Sequence, residues 1–198
     1  NAGHSIGIDD NDYISVGAKI FDNAEEIFAE TDLVIKVKEP QAHEIALLHE
    51  NQILFTYLHL APDEIQTTAL IESGVTAIAY ETVTDPRGGL PLLAPMSEVA
   101  GRMSVQAGAA GLEIERGGRG VLLGGVPGVS RGNVTIIGGG VVGSNAAFVA
   151  SGMGANVTVI DKSHQRMAEL DFHFKSLVTT LDSTTHTIEN ALKKADFV

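Results

Sequence analysis

Three observations predict that these 198 residues form an α/β fold of two parallel-sheet domains. First, short β-branched and aliphatic runs alternate with helix-length segments along most of the chain, as strands joined by helical crossovers do. Second, a turn with glycines at Gly138, Gly140 and Gly143 stands where one of those strands passes into a helix. Third, Asp161 closes the next strand about 20 residues further on, the spacing of a doubly wound, Rossmann-like nucleotide fold.

Residues 32–38, 52–58 and 75–80 read as strands, separated by helical patterns at 24–29, 41–49 and 63–73. Together they predict a smaller parallel α/β domain over residues 1–95, a substrate domain. Gly88, Gly89, Pro91 and Pro95 leave 88–95 unable to sustain a helix or a long strand, so the crossing between domains falls there. Ser97 then reads as the N-cap of a long connecting helix to about Arg116, with Glu98 favourably placed in its first turn. Strand 134–137, helix 144–153, strand 157–160, helix 164–174, strand 177–180 and a helix over 188–194 complete a nucleotide domain over residues 96–198. Asp196-Phe-Val198 reads as the opening of a fourth strand. The nucleotide fold is therefore expected to continue past Val198, and the first domain to begin before Asn1.

Composition excludes several function classes. A net charge of −12 without a Lys/Arg cluster argues against nucleic acid as a partner. No apolar run approaches the roughly 18 residues of a membrane helix, and Asn1-Ala-Gly-His4 carries no signal-peptide pattern. Without cysteine there are neither disulfides nor thiolate metal sites, which fits a cytoplasmic protein. No metal site is expected, because Glu81 and Glu98 have no His or Asp at ligand spacing beside them.

The glycine turn points to an NAD-type cofactor. Gly138 permits the tight turn, Gly140 lets the backbone approach a pyrophosphate, and Gly143 lets the helix lie close to the sheet. With Val141 and Val142 between them, they would hold the anion at the helix N-terminus. Asp161 would accept hydrogen bonds from the adenosine ribose and repel a 2′-phosphate, favouring NAD over NADP, although Lys162 and Arg166 stand close enough to soften that preference. In the first domain, Lys36 and Lys38 share a face at the end of a strand, where a lysine can hold a substrate carboxylate. A solvated pair of lysines is the competing reading. His59 ends another apolar run and is the best acid/base candidate of the seven histidines, unless it is a hydrogen-bonded structural one. Ser97 could bind a cofactor phosphate or serve only as a cap.

These residues sit in longer motifs, among them Val37-Lys-Glu-Pro40, 52–61, Ile78-Ala-Tyr-Glu-Thr-Val83, 90–102 and Gly124-Gly-Val-Pro-Gly128. Through them nearly the whole chain resembles the bacterial L-alanine dehydrogenases. The resemblance implies oxidative deamination of L-alanine to pyruvate and ammonia, with Lys38 holding the substrate and His59 as catalytic acid/base. It further implies that Ser97 contacts the cofactor, Asp161 the adenosine ribose and Ser183 the adenine side, in a homohexamer. That family also has an N-terminal strand with a substrate-binding arginine, and a C-terminal half with a catalytic aspartate, which these residues do not include. The nucleotide-binding subunit of a proton-pumping transhydrogenase and a non-catalytic NAD module are the alternatives. Lys38 and His59 argue against the former, since a nucleotide carrier needs neither.

Overall fold

Six short strands form two separate three-stranded parallel sheets in a computed structural model that describes residues 2–198. The chain divides into two compact units after Leu92, within the stretch rich in glycine and proline.

In the first unit, β1 (Leu33–Ile35), β2 (Ile53–Thr56) and β3 (Thr76–Ala79) lie in that order, with Val34 opposite Leu54 and Leu54 opposite Ala77. Helices α1 (Asp10–Ser15), α2 (Ala24–Glu30), α3 (Ala42–Ile45) and α4 (Glu64–Ser73) accompany the sheet. Alternation along β2 turns Leu54 and Thr56 inward, and Leu54 packs with Phe28, Val34, Ile45, Leu58 and Leu70. Two elements depart from the sequence pattern. The helix expected over 41–49 stops at Ile45, because the chain tightens into three-residue turns in which Leu47 and Leu48 donate to Glu44 and Ile45. Helix α1 was not expected. Asp9 accepts from the Asn11 and Asp12 amides while Asp12 accepts from the Asp9 N–H, a reciprocal cap with aspartate where glutamate is usual.

One buried amide ties α2 to the sheet. Gln52 is fully buried, and its Nε2 donates to the Phe28 and Thr31 carbonyls, both at 2.8 Å. Gln52→Leu keeps the volume but leaves those carbonyls unpaired. It is expected to cost about 1–3 kcal/mol, read as a lower urea midpoint with an unchanged slope.

In the second unit, β4 (Asn133–Ile137), β5 (Asn156–Asp161) and β6 (Val178–Asp182) are in register through Val134, Val157 and Val178. Helices α5 (Ala94–Gly111), α6 (Val141–Gly152), α7 (His164–Phe174) and α8 (Thr185–Leu192) surround a core of Val105, Ala147, Val159, Leu170 and Phe174. The order is β4-β5-β6. On the other side of β4, Phe197 pairs in parallel with Val134 and accepts from the Thr135 N–H at 2.9 Å. Strand order therefore reverses beside β4, which is where open α/β sheets bind their ligands.

Candidate functional site

The chain turns immediately after β4. Gly138 adopts φ 97°, a left-handed conformation that disfavours a side chain, and its N–H donates to the Ile160 carbonyl at 2.8 Å. Gly140 is the N-cap of α6, and a β-carbon there would meet no protein atom within 4 Å. The backbone at Gly140 is thus open to an approaching ligand. Gly143 is the opposite case: a β-carbon on it would lie 1.8 Å from the Gly138 carbonyl oxygen. Helix α6 starts at Val141, three residues earlier than the apolar pattern indicated, because Gly140 leads directly into it. Val141 and Val142 therefore occupy its first turn, whose amides lack intrahelical partners and lie at the positive end of the dipole. A cavity of about 660 Å³ borders this turn, lined by Ile137, Gly138, Gly140, Val142 and Phe197.

Asp161 stands at the carboxyl end of β5 and is bound to the turn itself. Its Oδ2 accepts from the Gly139 N–H at 2.6 Å, and its Oδ1 accepts from the Ser163 N–H at 2.8 Å. These amides, Gly139 first, hold its carboxyl below the usual carboxylate range. An ionised carboxylate has about four acceptor positions, more than the Gly139 and Ser163 amides fill. Ser183 follows β6, and its N–H donates to the Asp161 carbonyl at 3.0 Å, so the two residues are neighbours. Sequence reasoning missed the part played by Arg166. Its Nε donates to the Gly139 carbonyl at 2.6 Å and its guanidinium pairs with Glu169 at 2.8 Å, so Arg166 holds the carbonyl and Asp161 the N–H of the same turn residue. The only sequence signal for this is its place in the first turn of the helix that follows Asp161.

The depressed carboxyl has a consequence for stability. A carboxyl whose folded value lies below its unfolded value, near 3.9, contributes stability that is complete above that pH and is lost as pH falls through the folded value. Asp161→Asn is expected to lower the neutral-pH unfolding midpoint and to flatten its acid dependence. The two proteins should converge at low pH in an unfolding series followed by circular dichroism.

In the first unit, Lys38 and His59 follow β1 and β2 at their carboxyl ends, and the Thr56 hydroxyl donates to the Lys38 carbonyl at 2.9 Å. Lys36 and Lys38 do not act as the expected pair. Strand β1 ends at Ile35, so the two-residue alternation does not carry through to Lys38. Lys36 is half-buried and paired with Glu44, whereas Lys38 is exposed and, among the described residues, its ammonium makes no hydrogen bond or ion pair, only the longer-range attraction of Glu39. His59 adopts φ 48°, unusual for a residue with a side chain, and Glu81 holds it there. Glu81 Oε1 accepts from the His59 N–H at 2.6 Å and from the Leu58 N–H at 3.1 Å. Burial pushes the Glu81 carboxyl up, but the amides of His59, of Glu81 itself and of Leu58 outweigh it and leave the carboxyl below its usual range. The His59 ring stacks on Tyr57 at 5.9 Å and 10°, and its Nδ1 bonds to Glu39.

Ser97 is not an N-cap. Helix α5 begins at Ala94, because Pro95 with its fixed φ and missing N–H suits the first turn. Ser97 is the fourth helical residue, its N–H already donating to Leu93 at 3.1 Å. The structure thus gathers Gly138, Gly140, Val141, Val142, Gly143, Asp161 and Ser183 at one end of the second sheet, and Lys38 with His59 at one end of the first. Among the described residues, no bond joins Ser97 to either group.

Residues 1–100 match the N-terminal domain of the family described as alanine dehydrogenase/PNT, and residues 104–198 match its C-terminal domain. The chain is 52% identical to the alanine dehydrogenase of Halomonas elongata over 197 residues, which are 100% of this chain and 53% of that protein. It spans about half the length of the curated relatives it matches. A solved L-alanine dehydrogenase superposes with a TM-score of 0.82 at 49% identity, over 98% of this chain and 54% of that one. A transhydrogenase from Sinorhizobium meliloti matches 100% of this chain and 58% of its own, with a TM-score of 0.73 at 20% identity, a likeness of fold alone. With both of its units matched and half its residues identical to named alanine dehydrogenases, the chain belongs to the alanine dehydrogenase/PNT family.

Proposed function

We propose that this protein takes part in the NAD-dependent oxidative deamination of L-alanine to pyruvate and ammonia. The observation that carries the proposal is the presence of Lys38 and His59 at adjacent strand ends in a chain half-identical to named alanine dehydrogenases. The reaction converts alanine, NAD⁺ and water into pyruvate, ammonium, NADH and a proton. NAD, when bound, supplies the acceptor for the hydride that leaves the alanine Cα.

The chain's own groups do the rest. The exposed Lys38 ammonium meets the alanine carboxylate as a point charge. His59 takes a proton on the substrate side and returns it in the reverse direction, the general acid/base work an imidazole can do. The open backbone at Gly140 and the first turn of α6, at Val141 and Val142, hold the pyrophosphate. Asp161 accepts from the adenosine ribose, Ser183 stands beside the adenine, and Ser97 contacts the cofactor through its hydroxyl. On this reading the protein works in the cytoplasm as a homo-oligomer, hexameric by likeness to its family.

Following NAD reduction on addition of L-alanine, in a chain of the relatives' length that carries these residues, tests the proposal. Alanine-dependent reduction is expected. NADH binding without such reduction would favour a non-catalytic NAD module, and hydride exchange between two nucleotides without alanine would favour a transhydrogenase. The cofactor preference is tested separately. The Asp161 carboxylate faces any 2′-phosphate with a like charge, so NADH is expected to bind more tightly than NADPH at low salt, and Asp161→Ser to narrow the gap. Equal affinities in the unsubstituted protein would contradict the assignment.

A further inference from the structure

The structure assigns a role to a residue outside the set read from sequence. Resting on the reading of His59 as the acid/base, we propose that Glu39 is a positioning residue, fixing the imidazole with its hydrogen on Nδ1 and its lone pair on Nε2.

The geometry behind this is a clamp of two carboxylates. Glu81, just after β3, accepts from the backbone of His59, and Glu39, just after β1, contacts its ring. They divide the work: one holds the residue in its left-handed conformation, and the other selects a ring nitrogen. An ionised carboxylate only accepts hydrogen bonds, so the nitrogen that faces it must carry the hydrogen. In a neutral histidine that leaves the lone pair on the other nitrogen. Glu39 is ionised across the neutral range, since its own backbone amide first and the His59 ring second hold its carboxyl below the usual value.

The clamp matters because His59 is not enclosed. Its side chain is 48% exposed, and the contact with Glu39 and the stacked Tyr57 ring set its orientation. The Tyr57 hydroxyl in turn donates to the Leu92 carbonyl, which anchors that ring. Glu39 is itself placed with care. The residue before it is tied to the buried Thr56 through the Lys38 carbonyl, and the residue after it is the buried Pro40. A base must present a lone pair to its substrate at a constant position. An imidazole free in water prefers its hydrogen on Nε2, which would leave the wrong nitrogen bare. Glu39 reverses that preference.

Long-range proton–nitrogen correlation spectra of the ¹⁵N-histidine-labelled chain test the proposal, taken at about pH 8.5, well above the ordinary histidine value near 6.5. The His59 signals are identified by their loss in His59→Gln. The unsubstituted protein is expected to show a protonated Nδ1 and a bare Nε2, and Glu39→Ala is expected to move the hydrogen to Nε2. A hydrogen on Nε2 in the unsubstituted protein overturns the proposal even if Glu39→Ala does not fold. An Nδ1 hydrogen that persists in folded Glu39→Ala overturns it as well. These outcomes are separate from the acid/base reading, which falls if His59→Ala retains full turnover whatever the spectrum shows.

Discussion

His59→Ala, made in a chain of the relatives' length, is expected to lower alanine-dependent turnover by about 10²- to 10⁴-fold. NADH affinity should stay close to that of the unsubstituted protein, because on this reading His59 serves the substrate and the glycine turn the dinucleotide. The two readings of a histidine beside apolar residues diverge at this point. A structural histidine replaced by alanine would keep the backbone bond to Glu81 and lose only its ring contacts, so any cost would appear in stability and catalysis would stay intact. A working acid/base takes its proton transfer with it. Steady-state kinetics separate the two, since loss of a group that acts in the transition state lowers kcat and kcat/KM together. Turnover within about twofold of the unsubstituted protein would return His59 to a structural role.

Gly143→Ala is expected to have the largest effect on the second unit. The added carbon would sit 1.8 Å from the Gly138 carbonyl oxygen, and neither partner is a flexible side chain that can step aside. Helix α6 would have to lift from the end of β4, taking Val141 and Val142 and the open backbone at Gly140 with it. Forcing volume into a packed interior typically costs about 1–3 kcal/mol, and a backbone-to-backbone clash belongs at or beyond the upper end. Dinucleotide affinity should fall with stability, because the turn that would hold the pyrophosphate is the part displaced. Gly140→Ala is the informative contrast. With no protein atom near, it should fold normally and weaken only ligand binding. A calorimetric melt of both variants, with and without NADH, reads the difference.

The elements that carry the proposed cofactor site were legible because several local rules agree there. Val134 to Ile137 is apolar and β-branched, the glycines have fixed spacing, and Asp161 ends the next strand, so strand, turn and helix could be placed from residues alone. Boundaries moved where local pattern and tertiary geometry competed. Gly140 opens α6 earlier than the apolar period suggested, and Pro95 opens α5 before Ser97. Strand β6 runs on to Asp182 because Thr179, Thr180 and Leu181 continue the ladder opposite β5, which sets Ser183 beside Asp161. The contacts around His59 were not legible. Glu39 is 20 residues away in sequence and Glu81 is 22, and only the order β1-β2-β3 brings both to the end of β2. No periodicity encodes that meeting. The separation of Lys36 from Lys38 was hidden for a related reason, since it depends on Glu44 from the following helix.

In the proposed function the second unit receives the adenosine half of a dinucleotide at the ends of β4, β5 and β6. Titrating this chain with ADP-ribose while following backbone amide shifts tests it most directly, because the nicotinamide and the substrate take no part. Saturable shifts are expected, concentrated at Gly139, Gly140, Val141, Val142 and Ser183, together with their loss in Asp161→Ser at the same ligand concentration. Saturable binding that leaves those amides unmoved and shifts a different surface would contradict it.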